Sequence, residues 1–120
     1  MKLRDVRALL QAEVICGEDR LDTEIEHVGA SDLMSDVLAF GKPGLLLITG
    51  LSNAQSVRTA DIIEAKAIVY VRGKKPDRDG VELAKKKGIP LLSTRLMMFK
   101  ACGLLYSRGL AGIPEPEEKK

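Results

Sequence analysis

Hydroxyl, amide and cationic side chains recur at the ends of apolar runs in this chain, a combination that suits an anion. Ser31 and Asp32 follow one run. Thr49 and Gly50, then Ser52 and Asn53, follow the next. Arg72, Gly73, Lys74 and Lys75 end a third, and Ser93, Thr94 and Arg95 a fourth. Guanidinium and ammonium groups pair with phosphate, hydroxyls and amides donate to it, and glycine lets a ligand approach the backbone. Helices that begin after such loops add unpaired N–H groups. Ser31, Asp32, Thr49, Gly50, Ser52, Asn53, Arg72, Gly73, Lys74, Thr94 and Arg95 are therefore the candidate ligand-binding residues. The same residues also suit plainer work, as helix caps and solvated loop positions, and the sequence leaves both readings open.

Catalytic chemistry is harder to assemble. Gly41-Lys42-Pro43-Gly44 precedes an apolar run rather than following it, which is the wrong order for a phosphate-binding P-loop. Gly50-Leu51 lacks the spacing of a dinucleotide fingerprint. His27 is the only histidine, so a multi-histidine metal site is excluded, and it reads best as a strand or surface residue. Cys16 and Cys102 stand apart and read as buried thiols of a reducing compartment. No nucleophile, acid–base pair, metal site or cofactor motif emerges, and the expectation is a protein that is not an enzyme.

The elements that position the rim follow from periodicity. Leu3, Val6, Leu9 and Leu10 mark a helix over 2–11, and a short strand over 12–16 ends at Gly17. Residues 24–30 alternate as a strand with one wet face, and Ser31-Asp32 offers N-caps for a helix carrying Leu33, Met34, Val37 and Leu38. Strands over 45–49, 67–71 and 89–92 then alternate with helices over 54–65, 77–87 and 93–107. Acids in the first turn of the 77–87 helix, lysines in its last and Gly88 beyond match the helix dipole and a glycine stop. Apolar strands separated by helices of this length predict an α/β fold, a three-layer βαβ sandwich with a mainly parallel sheet, and the earlier elements add to one edge. Residues 1–110 are expected to form one domain and 111–120 a disordered polar tail.

The last helix is apolar nearly all round, with Lys100 as its one charge between Leu96 and Tyr106. Its own sheet can cover one side only, so Met97, Met98, Cys102, Leu105 and Tyr106 are candidates for a subunit or partner interface, most simply a homodimer, while the plainer reading is core on one side and incidental surface on the other.

Composition closes off other classes. In 120 residues, nineteen Lys and Arg against seventeen Asp and Glu leave a charge of +2, too balanced for bulk binding of nucleic acid. Two Phe, two Tyr and no Trp provide little for base stacking. No apolar run reaches the ~20 residues of a membrane span, and the charged N-terminal segment is unlike a signal peptide, which predicts a cytoplasmic protein.

Several strings carry a resemblance: 30–39 (from Ala30-Ser31-Asp32 to Leu38-Ala39), Thr49-Gly50-Leu51, Arg58-Thr59-Ala60, Val71-Arg72-Gly73-Lys74-Lys75-Pro76, Leu83-Ala84-Lys85 and Phe99-Lys100-Ala101-Cys102-Gly103. Over residues 2–110 the chain resembles stand-alone DRTGG-domain proteins. These are related to the DRTGG modules of phosphotransacetylases and pyrophosphatases and to the N-terminal domain of HPr kinase. The resemblance implies a regulatory or associative α/β module, usually dimeric, and with the cationic rim the expected ligand is an adenine nucleotide or other phosphorylated metabolite. As an alternative it implies a docking subunit for a larger enzyme or kinase-like partner in redox or energy metabolism, such as an iron hydrogenase. The signature itself is altered: Leu51-Ser52-Asn53 follows Thr49-Gly50 where Asp-Arg is expected, and Arg72-Gly73-Lys74 replaces Thr-Gly-Gly.

Overall fold

Leu46 to Thr49 and Ala67 to Tyr70 are buried without a break, so the strands they form are covered on both faces. The structure is a computed structural model and describes residues 1–115. In chain order its elements are α1 (Leu3–Leu10), β1 (Glu13–Cys16), a 3-10 turn (Glu18–Arg20), β2 (His27–Ala30), α2 (Met34–Phe40), β3 (Leu46–Thr49) and α3 (Ala54–Ile62). They continue with β4 (Ala67–Tyr70), α4 (Arg78–Lys87), β5 (Leu91–Ser93), α5 (Met98–Ser107) and β6 (Ala111–Gly112).

One six-stranded sheet runs in the order β1-β5-β4-β3-β2-β6. β2, β3, β4, β5 and β6 are parallel, while β1 lies antiparallel along β5. The two early strands therefore occupy different places, β1 on the outer edge beside β5 and β2 on the far side of β3. This corrects the expectation that the early elements share one edge.

Alternation along each strand divides the core in two. Leu46, Ile48, Val69 and Leu92 face α1 and α5 through Leu3, Val6, Leu10, Ala101 and Leu105. Leu47, Ile68, Tyr70 and Leu91 face α2, α3 and α4 through Met34, Val37, Val57, Ala60 and Ala84. The three-layer α/β sandwich expected from the sequence is the fold found.

Local signals set most boundaries. The Asn53 side chain accepts from the Gln55 amide and caps α3, Asp77 accepts from Gly80 and caps α4, and Gly88 ends α4 in the left-handed region at φ 71°. Two boundaries differ from expectation. α2 begins at Met34 without a side-chain cap, because Asp32 is engaged elsewhere. α5 begins at Met98 rather than at Ser93, because Ser93 belongs to β5 and the Thr94 hydroxyl donates to the Leu10 carbonyl at 2.7 Å.

The chain also stays structured beyond residue 110. Ala111 and Gly112 pair with His27 and Val28 of β2. Ile113 reaches the α2 side of the sheet, and its Cδ1 sits where a Cβ on Gly29 would have to go. The first residues of the expected disordered tail are thus paired with the sheet, and its remainder, 116–120, lies outside the described residues.

Ile68 and Ile62 test this division of the core. Ile68 is 0% exposed at the centre of the sheet, and Ile62 is 68% exposed on α3. Ile68→Ala should cost about 2–5 kcal/mol in urea unfolding, and Ile62→Ala should stay within about 0.5 kcal/mol of the parent.

Candidate functional site

α4 lies on one face of the sheet and α5 on the other, so the loops that leave the adjacent strands β4 and β5 diverge. An open α/β sheet parts at such a point, and ligands of these folds bind in the crevice beyond the strand carboxyl ends. A cleft of about 580 Å³ lies there, lined by Arg72, Gly73 and Lys75 after β4, Ser93 and Arg95 at the end of β5, and Gln11 and Glu13 from the start of β1.

The floor of the crevice is backbone. Arg72 N–H donates to the Leu96 carbonyl at 2.8 Å, Gly73 N–H to Thr94 at 2.9 Å, and Lys74 N–H back to Val71 at 3.1 Å. Arg72 and Gly73 both lie in the left-handed region, at φ 61° and 70°. Each of these three amides thus already has a partner within the protein. An anion entering the cleft meets side chains instead.

Those side chains are not equally available. Lys75 pairs with Glu13 at 3.0 Å, and Arg72 Nη1 pairs with Asp32 Oδ2 at 3.2 Å. Arg95 is exposed and, among the described residues, has no ion-pair partner.

On the other half of the rim the predicted residues form a closed cluster. The Asp32 carboxylate accepts from the Gly50 amide, from the Thr49 hydroxyl at 3.3 Å and from Arg72. Thr49 Oγ1 in turn accepts from the Leu51 amide at 3.1 Å. Amide, hydroxyl and guanidinium are the donors expected of an anion site, and the chain's own carboxylate fills it. The Gly50 amide above all, with Arg72 and Thr49 adding, holds the Asp32 carboxyl below its ordinary value against a smaller desolvation effect.

A Cβ at Gly50 would overlap the Arg72 guanidinium and push it from its present place. Tyr70, beneath the rim, is pushed up to about 12 by burial, and its hydroxyl shares a 2.8 Å hydrogen bond with Ser56.

The other candidates separate. Asn53 is the α3 cap, the Ser52 carbonyl accepts from the Asp77 amide, and Ser31 Oγ accepts from the Leu33 amide at 3.0 Å. Thr94 is buried beneath the rim, with its hydroxyl donating to the Leu10 carbonyl. Lys74 is exposed but does not line the cleft. Gln11 and Glu13 were not anticipated. Only the antiparallel placement of β1 brings its first residue to the same end as the carboxyl ends of the other strands. His27 begins β2 at the opposite end of the sheet.

On α5, Leu105 is 1% exposed and belongs to the core, which removes it from the expected interface. Met98 and Cys102 are half-buried against the same core, whereas Met97 and Tyr106 are exposed. Phe99, absent from the expected set, is 91% exposed. With Cys102, Gly103 and Tyr106 it borders an apolar groove of about 340 Å³ running to Val28, Ala30 and Gly112.

A sheet that parts over a side-chain-lined crevice gives the architecture of a small α/β domain, and among the described residues no three His, Cys, Asp or Glu are placed to hold a metal. Residues 5–106 match the DRTGG domain family, and the chain belongs to that family.

Among solved structures it is similar to the CBS and DRTGG domains of the regulatory region of Clostridium perfringens pyrophosphatase, complexed with its activator diadenosine tetraphosphate. The TM-score is 0.72 at 24% identity, and the match covers 87% of this chain and 45% of that one. The likeness shows the fold, and this chain spans less than half of that structure. No curated protein matches the chain. No helix is long and apolar enough to cross a membrane.

The Asp32 cluster makes a pH prediction. A carboxyl with a depressed folded-state value contributes stability above its unfolded value, near 3.8, and loses it as pH falls through the folded value. Chemical denaturation between pH 6 and 2 should therefore show a smaller acid loss for Asp32→Asn than for the parent.

Proposed function

We propose that this chain is a non-catalytic regulatory module that senses a phosphorylated ligand at the cleft between β4 and β5. The observation that carries the reading is the crevice itself, where the sheet parts and Arg72, Lys75 and Arg95 arrive from two different loops. Arg95 supplies the uncompensated charge, Arg72 a guanidinium with one edge held by Asp32, and Lys75 an ammonium shared with Glu13. Gly73 leaves room close to the backbone. An adenine nucleotide is the first ligand to test, in keeping with the nucleotide activator of the pyrophosphatase region. No aromatic residue lines the cleft, so its grip falls on the phosphates rather than on the base.

The module works as a homodimer in the cytoplasm, joined through the α5 stripe. Phe99 and Tyr106 are 91% and 78% exposed beside an apolar groove, exposed apolar surface of the kind that can mark an interaction site. The same stripe would serve the second reading, a docking subunit on a larger redox or energy-metabolism enzyme.

Two measurements test these readings. Calorimetry should show ATP, diadenosine tetraphosphate and inorganic tripolyphosphate binding, with affinity falling as salt rises. Arg95→Ala should weaken each by about tenfold, the effect of one charged hydrogen bond. Glu13→Gln should tighten binding by releasing Lys75. No heat at millimolar ligand would remove the sensor. Sedimentation should give a dimer that Phe99→Lys converts to a folded monomer. A parent that is already monomeric, or an unchanged mass in the variant, would overturn the α5 homodimer, and a monomeric parent would leave the stripe to a docking partner.

A further inference from the structure

Gly50 poses a question that its backbone does not answer. It does not adopt the left-handed conformation that calls for glycine, since the positive-φ glycines are Gly17, Gly44, Gly73, Gly88 and Gly109. A Cβ at position 50 would instead meet Arg72, whose Cζ and both terminal nitrogens occupy its place and, as the flexible end of a side chain, would have to move aside. The guanidinium is thus seated directly on the backbone of the neighbouring strand end. Asp32 holds it there, with Oδ2 on Nη1 at 3.2 Å and Oδ1 anchored on the Gly50 amide and the Thr49 hydroxyl. The carboxylate is therefore fixed before it fixes the arginine.

Arg72 also lines the cleft, and Asp32 is its only side-chain hydrogen-bond partner among the described residues. We propose that Asp32 and Gly50 are positioning residues for Arg72, holding its guanidinium in one place so that its unpaired edge serves the cleft as a preorganised anion contact. This rests on the cleft being the ligand site.

Ordinary charge counting predicts the reverse for Asp32. A carboxylate this close to a phosphate site repels the ligand and competes for the arginine, so removing it should help binding. Preorganisation predicts a loss, because a freed arginine must give up its rotamer freedom on binding. Gly50→Ala separates the two influences, since it displaces the guanidinium without changing any charge.

The experiment measures tripolyphosphate affinity for the parent, Asp32→Asn, Gly50→Ala and Arg72→Gln, and for each of the first two changes combined with Arg72→Gln. Thermal melting confirms that each variant is folded. Asp32→Asn and Gly50→Ala should each weaken binding about five- to tenfold, the cost of ordering one long side chain. Neither should weaken it further once Arg72 is gone. Tighter binding by Asp32→Asn, or losses that persist without Arg72, would overturn the positioning role.

If the parent binds no polyphosphate, the sensor reading fails by itself. The positioning is then read from the Arg72 side-chain NMR signals. Rotation of the guanidinium should be slow in the parent and fast in Asp32→Asn, and equal rates in the two would overturn it.

Discussion

A parallel sheet that is apolar on both faces must be covered on both, and this chain meets that demand with helices that change sides twice, after α1 and again after α4. The three crossovers from β2 through β5 put α2, α3 and α4 on one face. Only α1 and the last long helix remain for the other, so α5 must leave β5 in the opposite direction from the helix after β4. That change of side opens the crevice. It also carries the chain back beneath the sheet to place β6 beside β2, at the opposite edge from β1. The candidate site and the far edge of the sheet follow from one packing requirement.

The same requirement leaves two loops at the crevice that have to be tied together. Backbone hydrogen bonds do this between Arg72, Gly73, Thr94 and Leu96. The Asp32 cluster does the equivalent on the neighbouring side, joining the ends of β2, β3 and β4. Arg72 takes part in both ties, with its amide in one and its guanidinium in the other. A non-glycine residue at φ 61° is disfavoured by about 1–2 kcal/mol. Two backbone hydrogen bonds and an ion pair around the turn offset that strain, and they hold the side chain in a place no relaxed loop would give it.

Much of this architecture was legible because its signals are local. The α3 and α4 caps, the lysine-rich last turn of α4 and Gly88 concern residues within a few positions of each other, and their elements formed as expected. Errors came where a residue with cap chemistry was claimed by a distant partner. Asp32 looked like a helix cap but binds Gly50 and Arg72, and Thr94 looked like another but reaches Leu10, 84 positions away. β6 is two residues long and has no pattern to detect. The face that α5 covers was equally hidden, since a helix apolar nearly all round does not say which side meets the core. Leu105 turned inward and Phe99 outward. The rim was therefore foreseen as a set of residues, while its division into a closed cluster and an open cleft depended on contacts between distant segments.

That division also sets which polar groups this member of the DRTGG family leaves open at the rim. Where loop amides point outward they make a rigid cradle that grips phosphate at fixed geometry. Here the amides of Gly50, Leu51, Arg72, Gly73 and Lys74 all have partners within the protein. The replacement of Thr-Gly-Gly by Arg72-Gly73-Lys74 supplies long cations in place of small residues. Side chains of this kind lose conformational freedom when they bind, and in an open cleft they are screened by salt. Binding by such a site is shallow unless part of it is ordered beforehand. Arg72, Lys75 and Arg95 all sit at exposed loop positions; Lys75 is paired with Glu13, and Arg72 lies against Gly50 and is paired with Asp32. Through Asp32, Arg72 ties this side of the cleft to the end of β2 and the segment that leads into α2.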